Sequence, residues 1–319
     1  MILGTRGSPL ALTQTHWVRD RLMTAHSDLV VTVEIIRTTG DRNQLAPPRS
    51  LPGSKGPDGG KGIFVKEIED GLLAGRIDAA VHSLKDLPTG QPPGLIVAAT
   101  PQREDPRDAL VTREEVALEA LPRGARVGTG SPRRAAQLRA VRPDLIFEPA
   151  RGNVDTRIRR MMGGAFDAVV LAVAGLSRLG YMRGTASGGA FIHPIPEEIC
   201  LPAVGQGALA IETREADTRT RSLISTLHDP VAAAEVAAER AFLGALGGGC
   251  RVPVAALARA TNGRLSLAGL VASPDGSEIV KVRGESAVDS AADLGRRLAL
   301  EALELGARAV IRRYEESGG

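Results

Sequence analysis

Short apolar runs alternate along this chain with longer amphipathic stretches. Residues 2–6 and 31–37 predict two strands, and the stretch between them has the spacing of a helix. Ser8 and Pro9 are typical of a helix start, because serine caps the first turn and proline lacks the amide hydrogen that would go unpaired there. The helix is expected to end near Ala25 and to turn these residues towards the core: Leu10, Thr13, Trp17 and Leu22.

The alternation continues to residue 172. It predicts helices at 64–75, 132–141 and 154–162, and strands at 78–82, 95–100, 126–129, 145–148 and 167–172. Strands separated by helices favour parallel βαβ units. The two blocks therefore predict two α/β lobes, with the polar segment 103–108 crossing from the first lobe to the second.

The rest of the chain predicts a return and a third part. The glycine-broken segment 202–211 enters a strand that returns to lobe one, so two crossings and a hinge are expected. An alanine-rich helix to about residue 246, strands at 252–258, 264–272 and 278–284, and a helix at about 290–314 follow. Asn262-Gly263 and Asp275-Gly276 predict hairpin turns. The expected domains are lobe one (1–101 with 208–225), lobe two (107–201) and an α+β domain (230–319).

Composition narrows the class of protein. The chain has 319 residues, of which 43% are hydrophobic and 24% charged, as in globular proteins with sizeable cores. Two cysteines without a Cys-x-x-Cys pair do not form a disulfide framework and favour a reducing cytosol. Arg6 comes too early for a signal peptide, and no apolar run is long enough to span a bilayer. A cytoplasmic protein without a membrane partner is expected.

The charge pattern favours a small anionic ligand. The net charge is only +3, aromatic residues make up 3% of the chain, and the arginines are scattered. This leaves little for base stacking, so the sequence disfavours nucleic acid as a partner. The Gly-, Pro- and Lys-rich stretch 40–62 is not a P-loop, because Lys61 is followed by glycine, and it predicts a mobile lid.

Candidate chemistry lies where predicted strands end. Arg6 and Ser8 follow the first strand, and Lys85 and Asp86 follow the strand at 78–82. Ligands of open α/β sheets bind at such strand ends and at helix N-termini. The alternatives are an ordinary surface charge for Arg6 and a surface ion pair for Lys85 and Asp86.

The second expected lobe also has charged and polar residues where its strands end, and here more of them are arginines. Segments 129–134 and 151–157 each combine a strand end, a helix start and two arginines, and Ser131 is expected to cap the helix of the first segment. A guanidinium fork matches carboxylates or phosphates, so these segments predict a ligand with several such groups, although some of the arginines are expected to be ordinary surface residues.

Cys250 follows three glycines directly, which predicts an open loop rather than a core position. The alternative is an inert buried thiol, the usual state of a free cysteine. Cys200, between Ile199 and Leu201, is expected to be plain packing.

Seven segments across all three expected domains resemble the porphobilinogen deaminase family, also called the hydroxymethylbilane synthases. They are GTRGSPLALTQ from Gly4, GGKGIFVKEIEDGLLAGRIDAAVHSLKDLP from Gly59, REDPRDAL from Arg103, RGNVDTR from Arg151, DAVVLAVAGLSRLG from Asp167, LPAVGQGALAIETR from Leu201 and AERAFLGALGGGCRVP from Ala238.

The resemblance implies a fold and an activity. The fold is α/β: two hinged, doubly wound lobes similar to type II periplasmic binding proteins, plus a small C-terminal α+β domain. The activity is that of a transferase of haem and tetrapyrrole biosynthesis, which deaminates four porphobilinogens and joins them head to tail on a dipyrromethane cofactor held by a thioether at Cys250. Hydrolysis then releases the linear hydroxymethylbilane.

The resemblance also assigns residues and partners. It makes Asp86 the catalytic carboxylate and implies no metal, a monomer and, as a possible partner, the uroporphyrinogen III synthase that acts next. The residues implied to hold the cofactor are Cys250, Lys85, Asp86, Thr129, Ser131, Arg133, Arg134, Arg151 and Arg157. Those implied for the substrate are Arg6, Ser8, Phe64, Arg178 and Gln206.

Some positions depart from the family pattern. Gly130 replaces a hydroxyl residue, Pro132 starts a helix, Arg251 stands where many relatives have glutamine, and the loops 45–60 and 181–198 look long. Without Cys250 and Asp86, two lobes with arginines at their strand ends would equally suit a solute-binding or ligand-sensing protein.

Overall fold

The computed structural model describes residues 1–38, 65–183, 188–247 and 253–316. Its strands are β1 (Ile2–Thr5), β2 (Thr32–Ile35), β3 (Ala79–Ser83), β4 (Leu95–Ala99), β5 (Asp108–Thr112), β6 (Arg126–Gly128), β7 (Ile146–Glu148), β8 (Ala168–Ala172), β9 (Phe191–Pro194), β10 (Leu209–Arg214), β11 (Val254–Thr261), β12 (Arg264–Ala272) and β13 (Ile279–Ala287). Its α-helices are α1 (Pro9–Ala25), α2 (Lys66–Leu73), α3 (Pro132–Val141), α4 (Val154–Met162), α5 (Val173–Arg178), α6 (Thr218–Ser225), α7 (Pro230–Ala245), α8 (Ala291–Ala302) and α9 (Arg308–Glu316).

Lobe one is a five-stranded sheet with helices packed on it, in the order β2-β1-β3-β10-β4. Strands β2, β1 and β3 are parallel, and β10 runs antiparallel to both of its neighbours. Leu3, Val18 and Ile211 are buried in one core cluster of this lobe, and Ile68 and Leu72 in another. The parallel strands end at one edge of the sheet, which is the edge that carries Arg6, Ser8, Lys85 and Asp86.

Lobe two repeats this plan in the order β7-β6-β8-β5-β9. Strands β7, β6 and β8 are parallel, and β5 is antiparallel to β8 and β9. In each lobe, therefore, the fourth strand reverses direction, and it is the strand that the chain forms directly after crossing from the other part of the molecule.

The C-terminal part is a three-stranded antiparallel sheet with helices. Its order is β11-β12-β13, and it encloses a core that includes Phe242, Leu267 and Leu298. The turn between β11 and β12 has positive φ at Asn262 (51°) and Gly263 (74°), as tight hairpin turns require. These three sheets confirm the predicted fold class of two α/β lobes followed by a small α+β part.

Several sequence predictions of elements are wrong in detail. The expected parallel sheets are mixed, because β10, β5 and β9 pair antiparallel. Helices α5 and α6 were not predicted, nor were β5 and β9, and Asp108 begins a buried strand rather than lying in a polar crossing. The last predicted helix is broken at Gly306, whose φ is 109°.

The predicted inward face of α1 is confirmed at Leu22, which is 0% exposed, and wrong at Trp17. Trp17 is 38% exposed and lies against Arg21, whose Cζ is 5.3 Å from the ring centroid. Gln14 and Thr15 are buried instead, because each has a hydrogen-bond partner: Gln14 Oε1 accepts from Ser83 Oγ at 3.1 Å, and Thr15 Oγ1 donates to Ala11 O at 2.9 Å. Satisfied polar groups can occupy a core position that hydropathy assigns to an aromatic ring.

The chain groups into two compact units, Met1–Glu104 with Ala208–Ala233, and Asp105–Gly207 with Ala234–Gly319. The C-terminal part thus shares a unit with lobe two, where Arg139 Nη1 on α3 donates to Pro274 O at 2.9 Å. The three-domain boundaries and the hinge stay predictions. Within the described residues, no helix is both long and apolar enough to cross a membrane.

Candidate active site

Asp86 lies in a single 3₁₀ turn, Leu84–Asp86, that directly follows β3. Leu84 N donates to Ala208 O at 3.0 Å, and Leu87 N closes the turn on Leu84 O at 3.1 Å. The Asp86 carboxylate is half-buried and forms no hydrogen bond or ion pair within the described ranges. A fixed, partly desolvated carboxylate without a protein partner is suited to accept bonds from a ligand.

The other lobe-one candidates that the structure describes lie at the same edge of the sheet. Arg6 follows β1, which is parallel and adjacent to β3, and Arg6 is half-buried like Lys85. Ser8 caps α1 as predicted, since its Oγ accepts from Ala11 N at 3.3 Å. This edge therefore combines two cations, a hydroxyl and one carboxylate.

Lobe two places its candidates at the corresponding edge of the second sheet. Ser131 is the N-cap of α3, as predicted, with Oγ accepting from Arg134 N at 3.4 Å. Thr129 is buried, and its Oγ1 accepts from Ser131 N at 3.2 Å. Arg151 follows β7 and precedes Asn153, the N-cap of α4.

Arg133 and Arg134 are buried and share a carboxylate that the sequence did not single out. Arg133 Nη2 lies 2.8 Å from Asp108 Oδ2, and Arg134 Nη2 lies 2.7 Å from Asp108 Oδ1. Burial alone would raise the pKa of Asp108, but the two guanidiniums outweigh it and hold the pKa well below its usual range. Asp108 is therefore ionised at neutral pH, and the proposed contact of the two arginines with a cofactor stays a prediction.

Arg157 has no carboxylate partner among the described residues. Its Nε donates to Gly152 O at 2.8 Å. Burial and the nearby positive charge of Arg134 lower the pKa of Arg157 to about 10, which still leaves it charged at neutral pH. A partly buried cation beside a second cation is stabilised by an anion, so this part of lobe two suits a ligand carboxylate.

Gln206 lies on the chain segment that leads out of lobe two, and Arg178 contacts the next residue of that segment. Gln206 is 1% exposed, and its Nε2 donates to Pro106 O at 2.7 Å and Asp108 Oδ1 at 2.8 Å. Arg178 Nη2 donates to Gly207 O at 2.7 Å. Gln206 is thus part of the buried Asp108 cluster, and its predicted contact with substrate stays a prediction.

Cys200 is packed in the core of lobe two, as its apolar neighbours predict. Its Sγ lies 3.4 Å from Asp108 Oδ2. Burial and the Asp108 charge raise the pKa of this thiol to about 12, so it is protonated and unreactive at neutral pH. Cys250, Phe64 and the whole of the predicted lid (40–62) lie outside the described residues.

Sequence comparisons identify relatives over nearly the whole chain. Residues 1–222 match the family described as "Porphobilinogen deaminase, dipyromethane cofactor binding domain", and residues 233–304 match "Porphobilinogen deaminase, C-terminal domain". A porphobilinogen deaminase of Roseiflexus castenholzii is 47% identical over 311 residues, covering 98% of both chains. One of Deinococcus radiodurans is 46% identical over 315 residues, again covering 98% of both chains.

Among solved structures, the VFT2 domain of Bordetella pertussis BvgS is similar at a TM-score of 0.41 and 16% identity, covering 71% of this chain and 84% of that domain. Such a distant likeness says nothing about activity. The family is shown by the two matched family models and by relatives that are 46–47% identical over 98% of the chain. The chain belongs to the porphobilinogen deaminase family.

Proposed function

We propose that this chain is a hydroxymethylbilane synthase, a transferase that deaminates porphobilinogen and joins four units into a linear tetrapyrrole. The observation that carries this is the match of residues 1–222 to the cofactor-binding domain of the family. The dipyrromethane, when bound, supplies the nucleophilic pyrrole carbon on which the chain of substrate units is built. The residues described above fit such a group, because Arg157 is a partly buried cation without a carboxylate partner in the described ranges.

Asp86 is the proposed catalytic residue. Loss of ammonia from porphobilinogen leaves a cation whose positive charge is shared with its pyrrole nitrogen. A carboxylate that accepts the pyrrole N–H stabilises this charge more strongly as the charge develops. Asp86 is half-buried and has no partner among the described residues, so its lone pairs are available for this contact.

The cationic residues at the strand ends are proposed to hold the carboxylates of the ligands. Each pyrrole unit has an acetate and a propionate, so binding the cofactor and growing chain requires several cations and hydroxyls. The cofactor side would be held by Lys85, Thr129, Ser131, Arg133, Arg134, Arg151 and Arg157. The incoming substrate would be held by Arg6, Ser8, Arg178 and Gln206, with Phe64 in the wall of the site.

Cys250 is the proposed covalent attachment point, through a thioether. Its sequence setting after three glycines leaves room for an attached ring. Cys200, the second cysteine, is a poor alternative because it is fully buried and its pKa is raised to about 12. This contrast makes Cys200 a natural control.

The intact mass of the purified chain tests the attachment. We expect wild type and Cys200→Ser to carry an excess mass equal to two linked pyrrole units, and Cys250→Ser to lack it. An active wild-type chain without the excess, or an excess that survives Cys250→Ser, would contradict the proposal. A turnover assay with porphobilinogen should in addition release ammonia, and tight binding without any product would favour a solute-binding protein.

The monomeric state, the cytoplasmic location and a uroporphyrinogen III synthase partner stay predictions.

A further inference from the structure

A single buried carboxylate in lobe two contacts side chains from three separate parts of the chain. We propose that Asp108 is a positioning residue for this enzyme: it fixes the guanidiniums of Arg133 and Arg134 in the orientation that receives the cofactor carboxylates. This inference rests on the proposed function, in which these two arginines hold the cofactor.

Both oxygens of Asp108 are fully used. Oδ1 accepts from Arg134 Nε at 2.9 Å, from Arg134 Nη2 at 2.7 Å and from Gln206 Nε2 at 2.8 Å. Oδ2 lies 2.8 Å from Arg133 Nη2 and 3.4 Å from Cys200 Sγ. Asp108 is 0% exposed, so bulk solvent does not reach these contacts. The two charge-assisted contacts from Arg134 both go to Oδ1, and a third contact from its Nη1 to Val170 O at 2.9 Å holds the other end of the guanidinium.

The backbone that carries Asp108 is held on both sides. Asp108 begins β5, which lies between β8 and β9, and its carbonyl oxygen accepts from Ile195 N at 2.8 Å. The two arginines have further fixed points on backbone carbonyls: Arg133 Nη1 donates to Leu201 O at 2.6 Å, and Arg134 Nη1 donates to Val170 O at 2.9 Å. The carboxylate is therefore a rigid reference point for both guanidiniums.

The balance of charge argues against the view that Asp108 only neutralises the arginines. One carboxylate faces Arg133 and Arg134, and the charge of Arg134 also acts on Arg157. Arg133, Arg134 and Arg157 outnumber Asp108 in this set of described side chains, so the set carries a net positive charge that attracts an anionic ligand. Asp108 thus removes part of the positive charge, which weakens the attraction, while it fixes the donors.

The two possible roles of Asp108, neutralising charge and positioning the arginines, predict opposite changes in cofactor uptake. Asp108→Asn keeps the size of the side chain and makes the region more positive by one charge. If charge alone mattered, the variant would take up the anionic cofactor at least as well as wild type. If positioning matters, uptake falls, because donors misplaced by about 1 Å cost on the order of a hundredfold.

The chain offers a matched control in the same lobe. Asp144 forms a two-contact pair with Arg142, with Nε to Oδ1 at 2.8 Å and Nη2 to Oδ2 at 2.7 Å. Asp144 precedes β7, so it lies at the sheet edge opposite the one that carries Arg151 and Thr129. Asp144→Asn therefore removes a two-contact ion pair away from the site, although this pair is more exposed than that of Asp108.

The experiment measures the fraction of purified chain that carries the cofactor mass, the melting temperature, and KM and kcat of the loaded fraction. We expect Asp108→Asn to lower the loaded fraction by about tenfold or more. Asp144→Asn should leave loading within about twofold of wild type. If Asp108→Asn loads as well as wild type or better, or if loading follows the melting temperature in both variants, the inference is wrong.

Asp108→Glu keeps the proposal testable if the asparagine variant does not fold. It retains the charge but shifts the carboxylate by one methylene, and we expect it to load poorly as well; loading at the wild-type level would overturn the inference. Arg133→Lys and Arg134→Lys separate the two proposals. If both lysine variants load normally, the proposed cofactor contacts fail; if they load poorly while Asp108→Asn loads normally, only the positioning role fails.

Discussion

At the scale of single residues, two substitutions of Asp86 distinguish the effect of its charge from the effect of its position. Asp86→Asn removes the charge and keeps the shape, and we expect kcat to fall by about a hundredfold to a thousandfold, as when other electrostatic contacts to a transition state are lost. Asp86→Glu keeps the charge but displaces it, and we expect a smaller loss. Initial rates of ammonia release from porphobilinogen measure both variants.

The neighbouring Lys85→Arg variant is the control, because it keeps its charge and lies on the same turn. It should retain far more activity than Asp86→Asn. Equal activity of Asp86→Asn and wild type, at equal cofactor loading, would remove Asp86 from the catalytic step.

The residue scale also shows where sequence reading succeeds. Ser8 and Ser131 were predicted as helix caps and are confirmed, since a cap depends only on residues within one turn. The inward pairing of Arg134 with Asp108 was not predictable, because the partners are 26 positions apart and no local pattern joins them. Asp108 itself was concealed in a polar segment that suggested a linker.

At the scale of elements, the C-terminal sheet depends on the absence of one side chain. A Cβ on Gly269 of β12 would lie 2.5 to 3.0 Å from three atoms of the buried Phe242 ring on α7. Because both elements are fixed in one core, we expect Gly269→Ala to lower the free energy of unfolding by about 1–3 kcal/mol. Urea unfolding followed by circular dichroism measures the change.

Gly244 on α7 is the matched control. It is exposed, and a Cβ there would have no atom within 4 Å. Gly244→Ala should stabilise the chain by up to about 1 kcal/mol, since alanine favours the helix. A Gly269→Ala variant as stable as Gly244→Ala would show that strand and helix separate freely.

Element prediction succeeded where local signals were strong. Helices α3 and α4 were predicted with their observed bounds, and the Asn262-Gly263 turn with its positive φ angles. Strand β5 was missed because it begins with Asp108 at the end of a charged segment that resembles a linker, and β9 because it is a short strand at the edge of its sheet. The contact that covers the edge of β11 was also not predicted. Glu239 Oε1 on α7 accepts from Ala258 N at 2.9 Å, and hydropathy cannot reveal such a contact.

At the scale of the whole molecule, lowered aspartate pKa values predict sensitivity to acid. The hydrogen bond from Arg142 lowers the pKa of Asp144 to about 2, from 3.8. A carboxyl whose pKa is lower in the folded state stabilises it above the unfolded pKa, and this contribution is lost as the pH falls. We expect the difference in unfolding free energy between wild type and Asp144→Asn to be constant above about pH 5 and to vanish towards about pH 1.

Urea titrations at several pH values measure this difference. Asp217 behaves in the same sense, because hydrogen bonds from Thr220 and Arg214 outweigh the opposing effect of burial and lower its pKa. Wild type should therefore lose stability over the same range. A difference that grew as the pH fell would contradict the assigned direction.

The order of strands in lobe one has a consequence for synthesis on the ribosome. Strand β10 lies between β3 and β4, yet it is made only after every strand of lobe two, which occupies residues 108–194. The second lobe can thus complete its sheet while the first is still open in the middle. The turn that carries Asp86 gains its bond to Ala208 O at that late point, so the carboxylate proposed for catalysis is among the last features of the two lobes to be set in place.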